Sequence, residues 1–352
     1  MSNATVNYSC PNCGGKLQFD PQKQTFSCEW CASDFTEAEL KNIAPAVEAE
    51  TQLSPEEAAA FENGTNLYIC DSCGAEIIAE ENTAATFCYY CHSPVSLKGR
   101  LSGEYCPEKI IPFKKAKIEA ESGFKEWCGK KWFLPSDFKS QGTIEKITGL
   151  YVPYWLADCR VHGSLTANAE IIHTTRHGDT TVEHHKVFLV NREVNAEFDG
   201  VPADGSKKLD DALMDSVEPF DYSEMKEFSM SYLQGFYADK YDVSKEEVMP
   251  RIQARVSEGT KELMMADVMG YTTVTPVSSE ADIRNVKWHY TMLPVWFLSY
   301  DYNGKKYFYA MNGQTGKFTG IMPVSKLKVA LGAVITAVVT ALIGGAIALV
   351  CL

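Results

Sequence analysis

Residues 10–31 read CPNCGGKLQFDPQKQTFSCEWC, and residues 70–91 read CDSCGAEIIAEENTAATFCYYC. Each stretch holds two Cys-x-x-Cys pairs separated by fourteen residues, and the second stretch repeats the cysteines of the first with a shift of sixty residues. This internal duplication predicts two copies of one module. The cysteines of the two modules are Cys10, Cys13, Cys28, Cys31, Cys70, Cys73, Cys88 and Cys91.

The spacing of these cysteines is typical of a zinc ribbon, in which two β-hairpin tips bring four thiolates to one tetrahedral ion. We expect two structural Zn²⁺ ions, because four protein ligands leave no open position for water or substrate. Iron remains formally open, but two separate sets of four cysteines favour zinc. Gly14 and Gly74 follow the first pair of each module, where a tight turn suits a residue without Cβ.

Composition along the chain predicts a multi-domain protein. Two small β zinc ribbons precede a mixed α+β domain, and one C-terminal transmembrane helix follows it. The predicted boundaries are 1–36 for the first ribbon, 37–64 for an acidic linker, 65–100 for the second ribbon, 105–325 for the α+β domain and 326–352 for the membrane anchor. Strands in the α+β domain are predicted from β-branched and aromatic runs at Ser164–Thr175, Thr180–Val190, Val286–Tyr300 and Lys306–Asn312.

Helices are also predicted within the region 105–325. Four apolar residues recur at spacings of three and four along Tyr222–Phe236, which predicts a helix there. Ser244 and Glu247 have the spacing of a capping box, which predicts a second helix start. The segments Val152–Leu156 and Leu293–Phe297 resemble each other. They indicate two related β-rich halves around a helical insert.

The C-terminal end is the uncharged run VALGAVITAVVTALIGGAIALVCL at 329–352. As a helix it is about 36 Å long, enough to cross a hydrocarbon core of about 30 Å, whereas a buried core helix rarely stays apolar for so long. Lys326 and Lys328 precede the run and no charge follows it. The positive-inside rule therefore predicts a tail-anchored, single-pass protein of the cell membrane with cytoplasmic N-terminal domains. A small-residue stripe predicts packing against another membrane helix, and its members are Ala333, Ala337, Ala341 and Gly345.

The N-terminal residues Met1–Thr5 lack the charged and apolar regions of a signal peptide, so we expect the modules in the reducing cytosol. That compartment favours metal-bound thiolates over disulfides. The formal net charge is −13, and residues 1–100 carry fourteen acidic side chains against five Lys or Arg. Binding to nucleic-acid phosphates draws on Lys and Arg. A role in transcription or replication is therefore the less favoured alternative for the ribbons.

A ligand-binding or enzymatic role for 105–325 is the other alternative. Four histidines surround a predicted turn at His177–Asp179, and they are His173, His177, His184 and His185. In a strand, however, consecutive side chains such as the last two point to opposite faces. The sequence also has no nucleophile elbow, phosphate-binding loop or dinucleotide-binding motif. We therefore expect the protein not to be an enzyme.

The chain resembles a family of bacterial proteins with a transcription-factor-IIB-type zinc ribbon. The resemblance covers nearly the whole chain and rests on the cysteine pairs and on Ile111–Phe113, Gly149–Leu156, Tyr232–Phe236 and Trp296–Gly320. Among members with a membrane span, it is similar to the double-ribbon membrane proteins of Gram-positive bacteria that anchor phage-shock protein A with an SPFH-type zinc-ribbon partner. The resemblance implies an adaptor or scaffold that recruits these proteins to the membrane in envelope stress.

Overall fold

The computed structural model describes residues 10–15, 17–28, 30–43, 65–70, 74–80, 88–91, 96–100, 106–129, 131–233 and 235–350. These residues form two compact units. Unit 1 holds the described residues up to Val152, then Lys208–Lys240 and those from Met292 onward, whereas unit 2 holds Pro153–Lys207 and Tyr241–Thr291. Both units therefore contain residues of the region 105–325, and unit 1 also contains the two cysteine modules.

The first cysteine module is a small antiparallel sheet of β1 (Leu17–Asp20), β2 (Thr25–Cys28) and β3 (Asp34–Phe35), followed by helix α1 (Glu37–Ile43). Alternation along the strands places Leu17, Phe19 and Phe26 on one side, where all three are buried. The rings of Phe19 and Phe26 lie 5.1 and 5.4 Å from the ring of Tyr232. This apolar layer attaches the module to the rest of unit 1.

The remaining elements follow in chain order. They are β4 (Thr65–Ile69), β5 (Glu76–Glu80), β6 (Ser96–Arg100), β7 (Lys109–Ile110), α2 (Lys117–Gly129), α3 (Gln141–Ile144), β8 (Thr148–His177), β9 (Thr180–Asp204), α4 (Asp211–Val217), β10 (Lys226–Glu227), β11 (Tyr237–Asp239), α5 (Lys245–Ala266), β12 (Thr273–Tyr302), β13 (Lys305–Asn312), β14 (Phe318–Gly320) and α6 (Lys326–Val350). The strand order is β10-β7-β12-β8-β11-β5-β4-β6, with β9 paired to β8, β13 to β12 and β14 to β13. Since β11 pairs with both β8 and β5, the strands of the second cysteine module belong to this large sheet.

An aromatic cluster fills the core of unit 1. The ring of Phe113 stacks on Phe236 with centroids 4.2 Å apart, and it lies 5.0 Å from Tyr151 and 5.1 Å from Trp296. The Trp296 indole nitrogen also donates a hydrogen bond to the carbonyl of Lys115 at 2.8 Å. Because these residues are far apart in the sequence, the core of unit 1 depends on long-range contacts.

Unit 2 contains most of the long β8–β9 hairpin, helix α5 and the first part of β12. Ala157 and Val161 of β8 belong to one buried apolar cluster with Ile252 and Val256 of the helix. The close approach requires Gly163, where an added Cβ would lie 2.4 Å from the methyl group of Thr260.

The predicted start of α5 is confirmed. The Ser244 hydroxyl accepts from the Glu247 amide at 3.3 Å, and the Glu247 carboxylate accepts from the Ser244 amide at 2.8 Å. These reciprocal bonds satisfy backbone donors that the first turn of a helix leaves free. The four predicted strand runs are also confirmed, since they lie within β8, β9, β12 and β13.

The predicted helix over Tyr222–Phe236 is wrong. The chain instead forms short 3-10 turns at Tyr222–Glu224 and Met230–Leu233, with strand β10 between them. The apolar residues of this stretch face different partners, since Tyr232 packs under the first cysteine module and Phe236 stacks in the core of unit 1. Tertiary packing therefore overrides the helical spacing.

Other parts of the predicted organisation can be placed on the structure. The acidic linker 37–64 begins with helix α1, and residues 44–64 lie outside the described part of the chain. The two similar segments lie in β8 and β12, and nearly all of their side chains are buried. Between them along the chain lie helices α4 and α5 and also strands β9, β10 and β11, so the segment is not purely helical.

Helix α6 is long and apolar enough to cross a membrane, with a mean hydropathy of 2.1 within Lys326–Gly344. The hydroxyl of Ser325 caps it by accepting from the Lys328 amide at 3.4 Å. The predicted packing stripe is exposed at Ala333, Ala337 and Ala341. The surroundings of Gly345 lie outside the described part of the chain, and association with another helix stays a prediction.

Candidate metal centres

The first cysteine module brings four sulfur atoms together. The Sγ atoms of Cys10, Cys13, Cys28 and Cys31 all lie within 4.8 Å of one another. The sulfur of Cys10 is 3.5 Å from that of Cys31, and the sulfur of Cys13 is 3.5 Å from that of Cys28. Thiolates around a tetrahedral Zn²⁺ at about 2.3 Å are about 3.8 Å apart. The cluster therefore has close to the dimensions that one such ion requires.

Two tight turns of the same form hold these sulfur atoms. In each, the amide of the residue after the Cys-x-x-Cys pair donates to the carbonyl of the first cysteine of that pair. Gly14 donates to Cys10 at 2.8 Å, and Ala32 donates to Cys28 at 2.9 Å. Because backbone hydrogen bonds close both turns, the positions of the sulfur atoms do not depend on the metal alone.

The turns require a left-handed backbone at the residue that follows each pair. The φ angle is +71° at Gly14, +68° at Gly74 and +54° at Ala32. Glycine adopts this conformation readily, whereas a residue with a Cβ incurs a cost of about 1–2 kcal/mol. The sequence indicates the turns at the two glycines. At Ala32 the same turn forms in spite of the side chain.

The second module gathers three described cysteines. The sulfur atoms of Cys70, Cys88 and Cys91 lie within 4.8 Å of one another, and those of Cys70 and Cys91 are 3.4 Å apart. The amide of Gly74 donates to the Cys70 carbonyl at 2.7 Å, which repeats the turn of the first module. Cys73, the expected fourth ligand, lies outside the described residues. Thiolates at the buried Cys70 and Cys88 would require a nearby cation.

Polar groups near the first cluster favour the thiolate form of Cys31. Its sulfur lies 3.3 Å from the Ser33 hydroxyl oxygen, which also accepts from the side-chain amide of Asn12 at 2.9 Å. Hydrogen bonding by the hydroxyl and the amide of Ser33 lowers the pKa of Cys31 to about 6. Since the thiolate is the metal-binding form of cysteine, this environment suits a metal ligand.

The first module presents an aromatic side chain that the motif alone does not reveal. Trp30 lies within the second cysteine pair, and its side chain is 82% exposed. A Cβ added to Gly15 would lie 3.3 Å from Cγ of this indole, so the ring covers the first turn. An apolar residue inside a short Cys-x-x-Cys turn is the sequence signal that could have pointed to it.

The corresponding residues of the second module are buried. The Tyr90 hydroxyl donates to the Asp239 carboxylate at 2.7 Å. The carbonyl of Tyr89 accepts from the Ser299 hydroxyl at 3.1 Å. These bonds join the second module to β11 and β12, so its tip is part of the interior of unit 1.

The candidate histidines do not form a comparable cluster. His173 lies opposite His184 in the β8–β9 hairpin, and His177 pairs with Thr180 at its end. His185 lies on the other face, where its Nδ1 is 2.9 Å from a Glu170 carboxylate oxygen. Within the described part of the chain, the groups of three or more side chains that could hold a metal are the two cysteine clusters.

Among the described residues, the cysteines outside the modules lie in the interior. Cys106, Cys128 and Cys159 are all buried. Burial raises the pKa of Cys128 to about 11, which disfavours its reactive thiolate form. These positions fit structural rather than nucleophilic roles.

The chain is similar to a known bacterial protein. No family model matches the sequence, and no solved structure matches it. The uncharacterized protein YdjG of Bacillus subtilis (strain 168) is 37% identical over 336 residues, and the match covers 92% of each chain. The chain therefore belongs to the same family as YdjG.

Proposed function

We propose that the protein is a membrane-anchored zinc adaptor that brings cytoplasmic partner proteins to the cell membrane. It is not an enzyme in this account. Two zinc ions stabilise the cysteine modules, helix α6 is the single membrane span, and the first module presents a binding surface. The main support for the proposal is that Trp30 is exposed on a module with four clustered cysteines, and that helix α6 of the same chain is apolar and exposed.

Zinc has a structural role in this proposal. Four cysteines would hold one ion in the first module, and the repeat assigns Cys73 as the fourth ligand beside the three described cysteines of the second. When bound, zinc supplies the cross-links that a core as small as the layer under Phe19 and Phe26 does not. The matching sulfur distances and the repeated backbone turns support two equivalent sites.

The membrane span is supported by exposure as well as by composition. Within Lys326–Gly344, only 6% of the most apolar stretch is buried against the described residues. Outside a bilayer, most of this apolar helix would therefore be exposed to water. Lys326 and Lys328 stand at its start, and the positive-inside rule would keep that end in the cytoplasm. The units and the cysteine modules would then all lie on the cytoplasmic side.

Protein recognition is supported by the surface of the first module. Exposed tryptophan is enriched among the residues that dominate the energy of protein interfaces. The acidic balance of residues 1–100 opposes phosphate binding. We name phage-shock protein A and an SPFH-type zinc-ribbon protein as partners, and envelope stress as the setting, from the resemblance of the sequence.

The test compares the tagged full chain with the same chain ending at Ser325, each produced in a Gram-positive host. The full chain should stay in the membrane pellet after alkaline extraction and co-purify with partner proteins. The shortened chain should be soluble, and its partners should move to the soluble fraction with it. A full chain that alkali releases, or that co-purifies with the same proteins as a tag-only control, would contradict the proposal.

A further inference from the structure

A short loop of unit 1 is fastened to the beginning of helix α6. The carbonyl of Phe133 accepts from the Ser325 amide at 2.8 Å, and the carbonyl of Leu134 accepts from the Lys328 ammonium at 2.6 Å. The loop, Lys131–Leu134, therefore has a fixed position relative to the first turn of the helix.

Two aromatic side chains of this loop lie against the helix itself. A Cβ added to Gly332 would be 3.0 Å from Cε1 of Phe133 and 3.8 Å from Cζ3 of Trp132. The two rings are 5.8 Å apart. Gly332 is buried beneath them, whereas the following residues of α6, from Ala333 to Gly344, are exposed.

The aromatic pair is nevertheless open to its surroundings. Trp132 is 59% exposed and Phe133 is 44% exposed. The uncharged run of the helix begins at Val329, and the three residues from there to Gly332 correspond to a rise of about 4.5 Å. If α6 spans the bilayer, the rings that cover Gly332 must lie near the boundary between headgroups and acyl chains. Tryptophan is enriched at that depth in membrane proteins.

Three lysines lie in this loop or next to it along the chain or through a hydrogen bond. Lys131 is exposed within the loop, Lys326 is exposed at the start of α6, and the ammonium of Lys139 donates to the Lys131 carbonyl at 3.0 Å. The nearby acidic residue Asp137 accepts a hydrogen bond from the Tyr300 hydroxyl at 2.5 Å. In a chain of net charge −13, this cationic edge complements an anionic lipid surface.

We propose that Lys131–Leu134 is a membrane-interface platform: Trp132 and Phe133 lie among the upper acyl chains, and Lys131 and Lys326 contact anionic headgroups. The platform rests on the membrane insertion of α6 in the proposed function. It adds a second, non-helical contact with the bilayer, which would fix the direction in which unit 1 projects from the membrane.

Quenching by brominated lipid tests the depth of Trp132. The full chain and its W132F variant are reconstituted in phosphatidylcholine vesicles containing phosphatidylglycerol, with bromine near the upper acyl chain. The emission that W132F removes should lose about half or more of its intensity in brominated vesicles. The matched control is W30F, which removes another exposed tryptophan and should leave the quenched emission intact.

The outcomes separate the platform from the anchor. A chain that resists alkaline extraction while its Trp132 emission is unaffected by bromine would overturn the platform and leave the anchor standing. A chain that alkali removes from the vesicles would overturn both.

Lipid composition tests the headgroup contact. In vesicles without phosphatidylglycerol, quenching of Trp132 should weaken. The double variant K131Q/K326Q should lose this dependence on phosphatidylglycerol, whereas the control K287Q should keep it. Equal quenching in both vesicle types would overturn the headgroup contact.

Discussion

Trp30 and Tyr90 hold the same position in the two cysteine modules, but Trp30 is 82% exposed whereas Tyr90 is 4% exposed and donates a hydrogen bond to Asp239 at 2.7 Å. A sixty-residue shift relates the two positions. The copies have therefore diverged in what their tips contact. The tip of the second module is packed into unit 1, whereas Trp30 of the first module is exposed.

This difference predicts that the two substitutions affect stability unequally. Tyr90→Phe removes a buried donor to a carboxylate and should lower the free energy of unfolding of unit 1 by about 1–3 kcal/mol. Trp30→Ala should change it by no more than about 0.5 kcal/mol, because the side chain is exposed. Thermal unfolding of the detergent-solubilised chain measures both. Equal losses of stability would show that the two tips are packed alike.

The left-handed turn at Ala32 predicts a stabilising substitution. Ala32→Gly should relieve about 1 kcal/mol of backbone strain and tighten zinc binding by about fivefold. Gly14→Ala should have the opposite effect, since its φ is +71°. Competition with a chelator measures the affinity. Gly142→Ala is the control, because a Cβ there meets nothing within 4 Å. An Ala32→Gly protein that loses zinc faster than the original would refute the strain argument.

Metal content provides a prediction about Cys73. The full chain should bind two zinc ions, and Cys73→Ser should bind one tightly because its second set keeps three thiolates. Cys128→Ala removes a buried cysteine outside the modules and should retain both ions. Elemental analysis after dialysis against a weak chelator gives the ratio. Two tightly held ions in Cys73→Ser would exclude this residue as a ligand.

We expect the stability that His185 of the β8–β9 hairpin contributes to depend on pH. Its hydrogen bond to Glu170 raises the pKa of the imidazole above its ordinary value. Because the folded-state pKa is the higher one, the stabilisation is fully present below the unfolded pKa of about 6.5 and is lost as the pH rises through the folded value. Glu170→Gln should lower the pKa of His185 in an NMR titration. Glu197→Gln, which removes the partner of Arg160 further along the hairpin, should not change it.

The features that the sequence predicts correctly are local ones. The spacing of the cysteines is sufficient to predict the first cluster, because two tight turns and one hairpin bring all four sulfur atoms together. The start of α5 follows from Ser244 and Glu247, which bond to each other across one turn. Alternating and β-branched residues predict the strand runs within β8, β9, β12 and β13, because this pattern is also local.

The features that the sequence does not predict depend on contacts between residues far apart along the chain. The spacing within Tyr222–Phe236 is that of a helix, but the stretch serves two separate surfaces, under Phe19 and against Phe113. The burial of Tyr90 likewise depends on Asp239, which is 149 residues away along the chain. The cover of Gly332 by Phe133 joins residues that no local pattern relates.

The most direct test of the adaptor account is the amount of each partner protein that co-purifies from membranes with the full chain, its Trp30→Ala variant and its Met269→Ala variant. Met269 is an exposed apolar residue of unit 2 and serves as the control. If the first module recruits the partners, Trp30→Ala should keep its membrane location and its zinc but lose the partners, whereas Met269→Ala should retain them. Unchanged recovery of the same partners with Trp30→Ala would contradict the claim that the first cysteine module is the recruiting surface.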